Sequence, residues 1–132
     1  MTQTYNIALL NDDTILHVTL NEDYNIYTDM PYSNGDTLAV LDKLDAPVVL
    51  ITEIRMKMTF DQLLLGTKSV AVGEDATWRH PNVAASILVT TDPTVYKAAA
   101  GLKTDTFGNL DIPVFHTAEE AIAAAKQLVN VA

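Results

Sequence analysis

A length of 132 residues, 48% of them hydrophobic, suits one domain with a buried core, and no Pro/Gly/Ser-rich stretch offers a linker to a second. The formal net charge of −9 argues against nucleic acid and against anionic membrane surfaces, since both are bound by collecting Lys and Arg. There is no cysteine, which excludes disulfides, thiol catalysis and Cys-ligated metal centres.

The start of the chain, MTQTYNIALLNDD, has neither the basic end nor the long apolar run of a signal peptide, and no segment reaches membrane-spanning length. The expectation is a soluble cytoplasmic protein. Tyr5 to Leu10 and Thr14 to Leu20 are short apolar segments joined by Asn11-Asp12-Asp13. The second alternates, with Leu16, Val18 and Leu20 on one face and His17 and Thr19 on the other, the pattern of a half-buried strand in a hairpin. From Asn21 to Gly35 the pattern is weak. Met30, Thr37 or Leu38, Leu41 and Leu44 fall at helical spacing, but Pro31, Asn34 and Gly35 count against the early turns, so a helix is predicted from Asp36 to Leu44.

Pro47 to Ile54 (PVVLITEI) reads as a central strand covered on both faces. Thr59-Phe60-Asp61-Gln62 is a capping box, launching a helix with the stripe Phe60, Leu63, Leu64, Thr67, Val70 and Ala71. A loop from Gly73 to Pro81 precedes the apolar run Asn82 to Thr91. Asp92-Pro93 then caps a short helix that runs to Gly101-Leu102. A polar loop, Lys103 to Asn109, leads to a last strand, Asp111 to Phe115. A second capping box, Thr117 to Glu120, opens a helix whose inward stripe is Ala118, Ala121, Ile122, Ala125, Leu128 and Val129. The order β-β-α-β-α-β-α-β-α implies a mixed, mostly parallel sheet screened by helices, in one α/β domain spanning residues 1–132.

This order, the hairpin start, and the segments PVVLITEI, WRHPNVAASILVTTDPTVYKAAAGL and IPVFHTAEEAIAAAK resemble the STAS-like superfamily of sulfate-transporter and anti-sigma-factor-antagonist domains, which includes small stand-alone bacterial members. The resemblance implies a non-enzymatic interaction or regulatory module, often homodimeric and without cofactor. It also implies a phosphorylatable Ser or Thr where the third strand meets the next helix. Thr59 stands there, but the segment lacks an Asp-Ser-Ser-Gly-type sequence and Thr59 is already explained as a helix cap.

Arg55-Met56-Lys57-Met58 is a basic island in an acidic chain. Its methionines suit either a partner surface or the core. Trp78 is either an interface anchor or a lid on the core edge. Asp12-Asp13, Glu53, Thr90-Thr91 and Lys103 imitate the spacing of a response-regulator receiver, but a strand rather than a helix follows the acidic pair. His17, His80 and His116 lack metal-ligand spacing: His17 reads as an outward strand residue, His80 as part of a loop and His116 as preceding a helix cap. No nucleophile elbow or glycine-rich phosphate loop is present. Two classes of function follow: an interaction module with a fully packed core, or a binder of a small apolar or amphipathic ligand in a pocket between sheet and helices.

Overall fold

A hairpin opens the chain: β1 (Tyr5–Leu10) runs antiparallel to β2 (Ile15–Leu20), with Tyr5 opposite Leu20 and Leu10 opposite Ile15. The turn holds Asn11, Asp12 and Asp13 at φ of 53°, 55° and 63°. Asn and Asp are the non-glycine residues that best tolerate this left-handed region, which explains a turn without glycine. The structure, a computed structural model, describes residues 4–71, 76–99 and 112–131. The polar loop from Lys103 to Asn109, and with it the Lys103 of the receiver-like spacing, lies outside those residues.

The described elements continue as α1 (Met30–Lys43), β3 (Val48–Ile54), α2 (Phe60–Ala71), a 3₁₀ turn (Thr77–Arg79), β4 (Val83–Thr90), α3 (Pro93–Ala99), β5 (Val114–Phe115) and α4 (Ala118–Val131). Among the described residues this is an α/β fold with a five-stranded mixed sheet and four helices. The strand order is β1-β2-β3-β4-β5, and every pair after the hairpin is parallel. β3 is the central strand, as its apolar run predicts. No helix among the described residues is long and apolar enough to cross a membrane.

Each parallel strand is added on the same side of its predecessor, so three right-handed crossovers place α1, α2 and α3 on one face. On that face Leu16, Val18, Leu50, Ile54 and Leu88 meet Leu41, Leu63 and Val95. α4, which follows the last strand, covers the other face: Ala121 and Ala125 pack on Ile15, Val49, Ile51, Ile87 and Val89.

Several expectations are corrected. α1 begins at Met30 rather than Asp36, because Pro31 lies in the first turn, where its missing N–H costs nothing. Asn34 donates to Ser69 Oγ at 2.6 Å, tying α1 to α2, and Gly35 faces open space. β2 is buried on both faces rather than one, since α4 covers Ile15 and a polar cluster covers Thr19. Phe60 stands 62% exposed and Leu128 44%, so neither belongs to the inward stripe of its helix. The side chains of Val70 and Ala71 lie outside those described.

The hairpin turn yields a direct test. Replacing Asp12 with Val puts a β-branched side chain in the left-handed region and is expected to cost about 1–2 kcal/mol in urea unfolding, whereas Asp12→Gly stays within roughly 0.5 kcal/mol of wild type. A second test comes from Tyr5. Its hydroxyl donates to Asp36 on α1, and this bond, with lesser contributions from burial and the carboxylate's charge, pushes the phenol pKa up to about 12. A raised pKa means the fold favours the protonated form, so this contribution is whole below pH 10 and declines toward pH 12. Tyrosinate absorbance should show late-titrating phenols, Tyr24 being raised by burial as well, and Tyr5→Phe should remove one of them.

Candidate functional site

The helices that cover the sheet carry small residues where they face each other. On α1 the inward positions are Met30, Ser33, Thr37 and Leu41, and on α2 they are Leu63, Gly66 and Thr67. A helix packed on a sheet ordinarily fills such positions with Leu or Ile. Here they leave a cavity of about 80 Å³. Its floor is β2, β3 and β4 through Val18, Leu20, Leu50, Thr52, Ile54 and Leu88, and Trp78 stands in its wall. Trp78 is partly buried against both clusters of this face, so it belongs to the core edge.

Gly66 has a local reason. A Cβ there would lie 2.9 Å from Ile26 Cδ1, so the glycine lets the segment before α1 close onto α2. The lining hydroxyls are largely satisfied within their own helices: Thr37 donates to Ser33 O at 2.7 Å and Thr67 to Leu63 O at 2.8 Å. Ser33 pairs with the Tyr24 hydroxyl at 2.8 Å, and burial raises the Tyr24 pKa, keeping that phenol neutral. Thr52 differs. It is the one residue of β3 that is not buried, and its hydroxyl has no hydrogen-bond partner among the described residues. Since β2 and β4 flank it on both sides, the space it touches is the cavity. Among the described residues its walls carry no Asp, Glu, Lys, Arg or His.

The basic island reads differently in three dimensions. Met56 and Met58 are 8% and 9% exposed and belong to the core, continuing the inward alternation of Leu50, Thr52 and Ile54 beyond the end of β3. The partner-surface reading of these two methionines is therefore corrected: their apolar area is already buried inside the chain. Two bonds hold the segment extended, from Arg55 N–H to Leu20 O at 2.9 Å and from Met58 N–H to Asp92 Oδ2 at 3.1 Å. Asp92 also caps α3 through Thr94 N–H at 3.0 Å, so one carboxylate fastens two loops at the carboxyl end of the sheet. Arg55 and Lys57 are exposed, but Arg55 Nε donates to Glu53 at 2.6 Å, which leaves less free positive charge than the sequence suggests. Thr59 is exposed and caps α2 reciprocally: Gln62 N–H donates to its hydroxyl at 3.2 Å, and its own N–H donates to Gln62 Oε1 at 3.0 Å.

The densest polar cluster lies on the α4 face beyond that helix. Glu53, with a side chain 10% exposed, accepts from Arg55 Nε and from His17 Nε2 at 2.9 Å. His17 is thus a half-buried partner of Glu53 rather than a solvated strand residue. Thr19 Oγ1 lies 3.3 Å from the same Nε2. A proton relay through imidazole uses both ring nitrogens, whereas here both contacts fall on one, so the cluster covers a charge and sets up no nucleophile. His80 Nε2 donates to Asp42 at 2.7 Å while its Nδ1 accepts from Asn82 N–H at 3.0 Å. His116 Nδ1 donates to Thr90 O at 3.2 Å, with its ring stacked on Tyr96. Among the described residues no group of three or more His, Asp or Glu is placed to hold a metal ion. The receiver-like residues do not converge either: Asp12 and Asp13 form the hairpin turn, whereas Glu53 ↔ Val89 pairing sets the acidic residue at the other end of the sheet.

No family model, curated protein or solved structure matches this chain.

The β3–α2 segment generates its own test. Thr59→Ala should cost about 1 kcal/mol through loss of the cap while Thr59→Asp retains it. Met58→Asp, which puts a charge into the core, should cost more than 3 kcal/mol or prevent folding. Urea unfolding monitored by circular dichroism separates these outcomes.

Proposed function

We propose that this chain is a non-enzymatic binding module that holds a small, neutral, amphipathic ligand between the sheet and helices α1 and α2. The observation that carries this reading is the apolar cavity with the Thr52 hydroxyl at its floor, which has no hydrogen-bond partner among the described residues. At about 24 cal/mol per Å³, an empty space of about 80 Å³ costs the fold roughly 2 kcal/mol, which Leu at position 37 would recover. A sequence that keeps such a cost points to use of the space. The cavity is smaller than the ~150 Å³ dry cavity that admits benzene. Met30 and Met58, both unbranched, line it and can swing to enlarge it.

The uncharged walls and the net charge of −9 disfavour anionic ligands. A short aliphatic chain bearing one hydroxyl or amide fits both the walls and Thr52. The STAS-like resemblance implies a non-enzymatic interaction module, and the ligand reading shares with it only the absence of chemistry.

The test is an NMR titration of the isotope-labelled protein with primary alcohols of increasing chain length and with carboxylates of matched length. Alcohols should produce saturable shifts at Val18, Leu50, Thr52, Leu63 and Leu88, and carboxylates should not. Thr52→Val should weaken binding roughly fivefold, the equivalent of about 1 kcal/mol for one neutral hydrogen bond. Thr37→Leu should raise thermal stability and abolish binding. Shifts that never saturate, or that persist undiminished in Thr37→Leu, would overturn the proposal.

A further inference from the structure

We infer that β1 is a self-association edge, on which a second copy of this chain pairs antiparallel to give one continuous sheet through the dimer. The inference is independent of the cavity.

The backbone identifies which groups are free. Asn21 N–H donates to Thr4 O at 2.9 Å, and the register then runs Tyr5 ↔ Leu20, Asn6 ↔ Thr19, Ile7 ↔ Val18. Bonded and non-bonded pairs alternate in an antiparallel ladder. Asn6, Ala8 and Leu10 therefore spend their N–H and C=O groups on β2, while Tyr5, Ile7 and Leu9 turn theirs to the open edge. Among the described residues no hydrogen bond satisfies those outward groups.

Sheet edges are usually protected by lysine, proline, a bulge or an inward charge. β1 has none of these: its sequence is YNIALL, and its pairing with β2 shows no register shift. Residues 1–11 contain no charged side chain in a chain of net charge −9. The opposite edge, β5, is only two residues long. Leu9, on the edge strand, is 38% exposed.

The choice of a second copy as the occupant rests on charge and symmetry. Most of this acidic surface repels another copy, but a strand without charge meets itself with no like-charge contact. The outward residues are also symmetric about Ile7. A two-fold axis there sets Ile7 opposite its own copy and Tyr5 opposite Leu9 twice, all apolar pairs on one face. One six-residue edge buries well under the roughly 800 Å² per partner of a standard interface, so the dimer is a micromolar one.

The chain has no native cysteine, so one introduced thiol reports its own position. In the proposed pair the two copies of residue 7 form a bonded pair with Cα atoms about 5.5 Å apart, within disulfide range. Ile7→Cys, oxidised with glutathione disulfide, should form covalent dimers at least tenfold faster than Asp61→Cys, a thiol on an exposed helix position. Mixed Tyr5→Cys and Leu9→Cys proteins should cross-link to each other rather than to themselves. Sedimentation of wild type should show monomer–dimer exchange at micromolar concentration, shifted to monomer by Leu9→Asp, with circular dichroism confirming that each variant is folded. A wild type that stays monomeric at several hundred micromolar, or a position-7 thiol no faster than the control, would overturn the inference.

Discussion

Three consecutive crossovers of one hand, all advancing in one direction, set the conditions for everything else in this molecule. Because each parallel strand is added beyond the last, α1, α2 and α3 fall on one face, and among the described helices only the final one reaches the other. The same advance leaves the hairpin strand β1 behind as a permanent edge. One face is therefore crowded with helices whose packing decides whether space remains beneath them. The other has a single helix and must cover the rest of its area by other means.

On the crowded face, space remains because the helix surfaces are undersized. Thr37 and Thr67 stand where larger aliphatic side chains would close the gap, while Gly66 makes room for Ile26 and Ser33 pairs with the Tyr24 hydroxyl. The surroundings are firm: Asp92 fastens the β3–α2 segment to the cap of α3, and Asn34 bridges α1 to α2. Undersized side chains within a tied frame make a cavity, whereas undersized side chains in an untied one would let the helices collapse onto the sheet.

Much of the architecture was legible from periodicity and capping. β1 has its predicted bounds, β3 its predicted central place, and both capping boxes act through Thr59 and Thr117. Pro31 and Gly35 read locally as breakers and hide the first turns of α1, although a proline in a first turn and a glycine facing open space cost little there. The buried methionines left a readable signal: Ile54, Met56 and Met58 keep the period of two that Leu50 and Thr52 begin, so the alternation should have been followed past the last strand residue. The cavity left none. Ser33 and Thr37 look like solvent positions until the helix facing them is known to carry Gly66 and Thr67, and that facing is a tertiary fact. The His17–Glu53 pair was likewise hidden, because nothing local in either segment shows that β2 and β3 are neighbours in register.

On the sparsely covered face, coverage is electrostatic. The α4 cluster ends with Ile15, Ile51 and Val89, and the next residues upward on the neighbouring strands are His17, Thr19 and Glu53. An aliphatic residue at 53 would need a helix above it, and none of the described helices lies there. A carboxylate satisfied by Arg55 and His17 can instead be buried there without a helix, with the exposed arginine carrying the charge contact outward. The pair costs desolvation that its two charge-assisted bonds offset, which makes it a poor source of stability and a sound way of closing a sheet without a helix. The two faces thus carry opposite defects of the same topology, an excess of helix that leaves a cavity and a shortage that is sealed by charge.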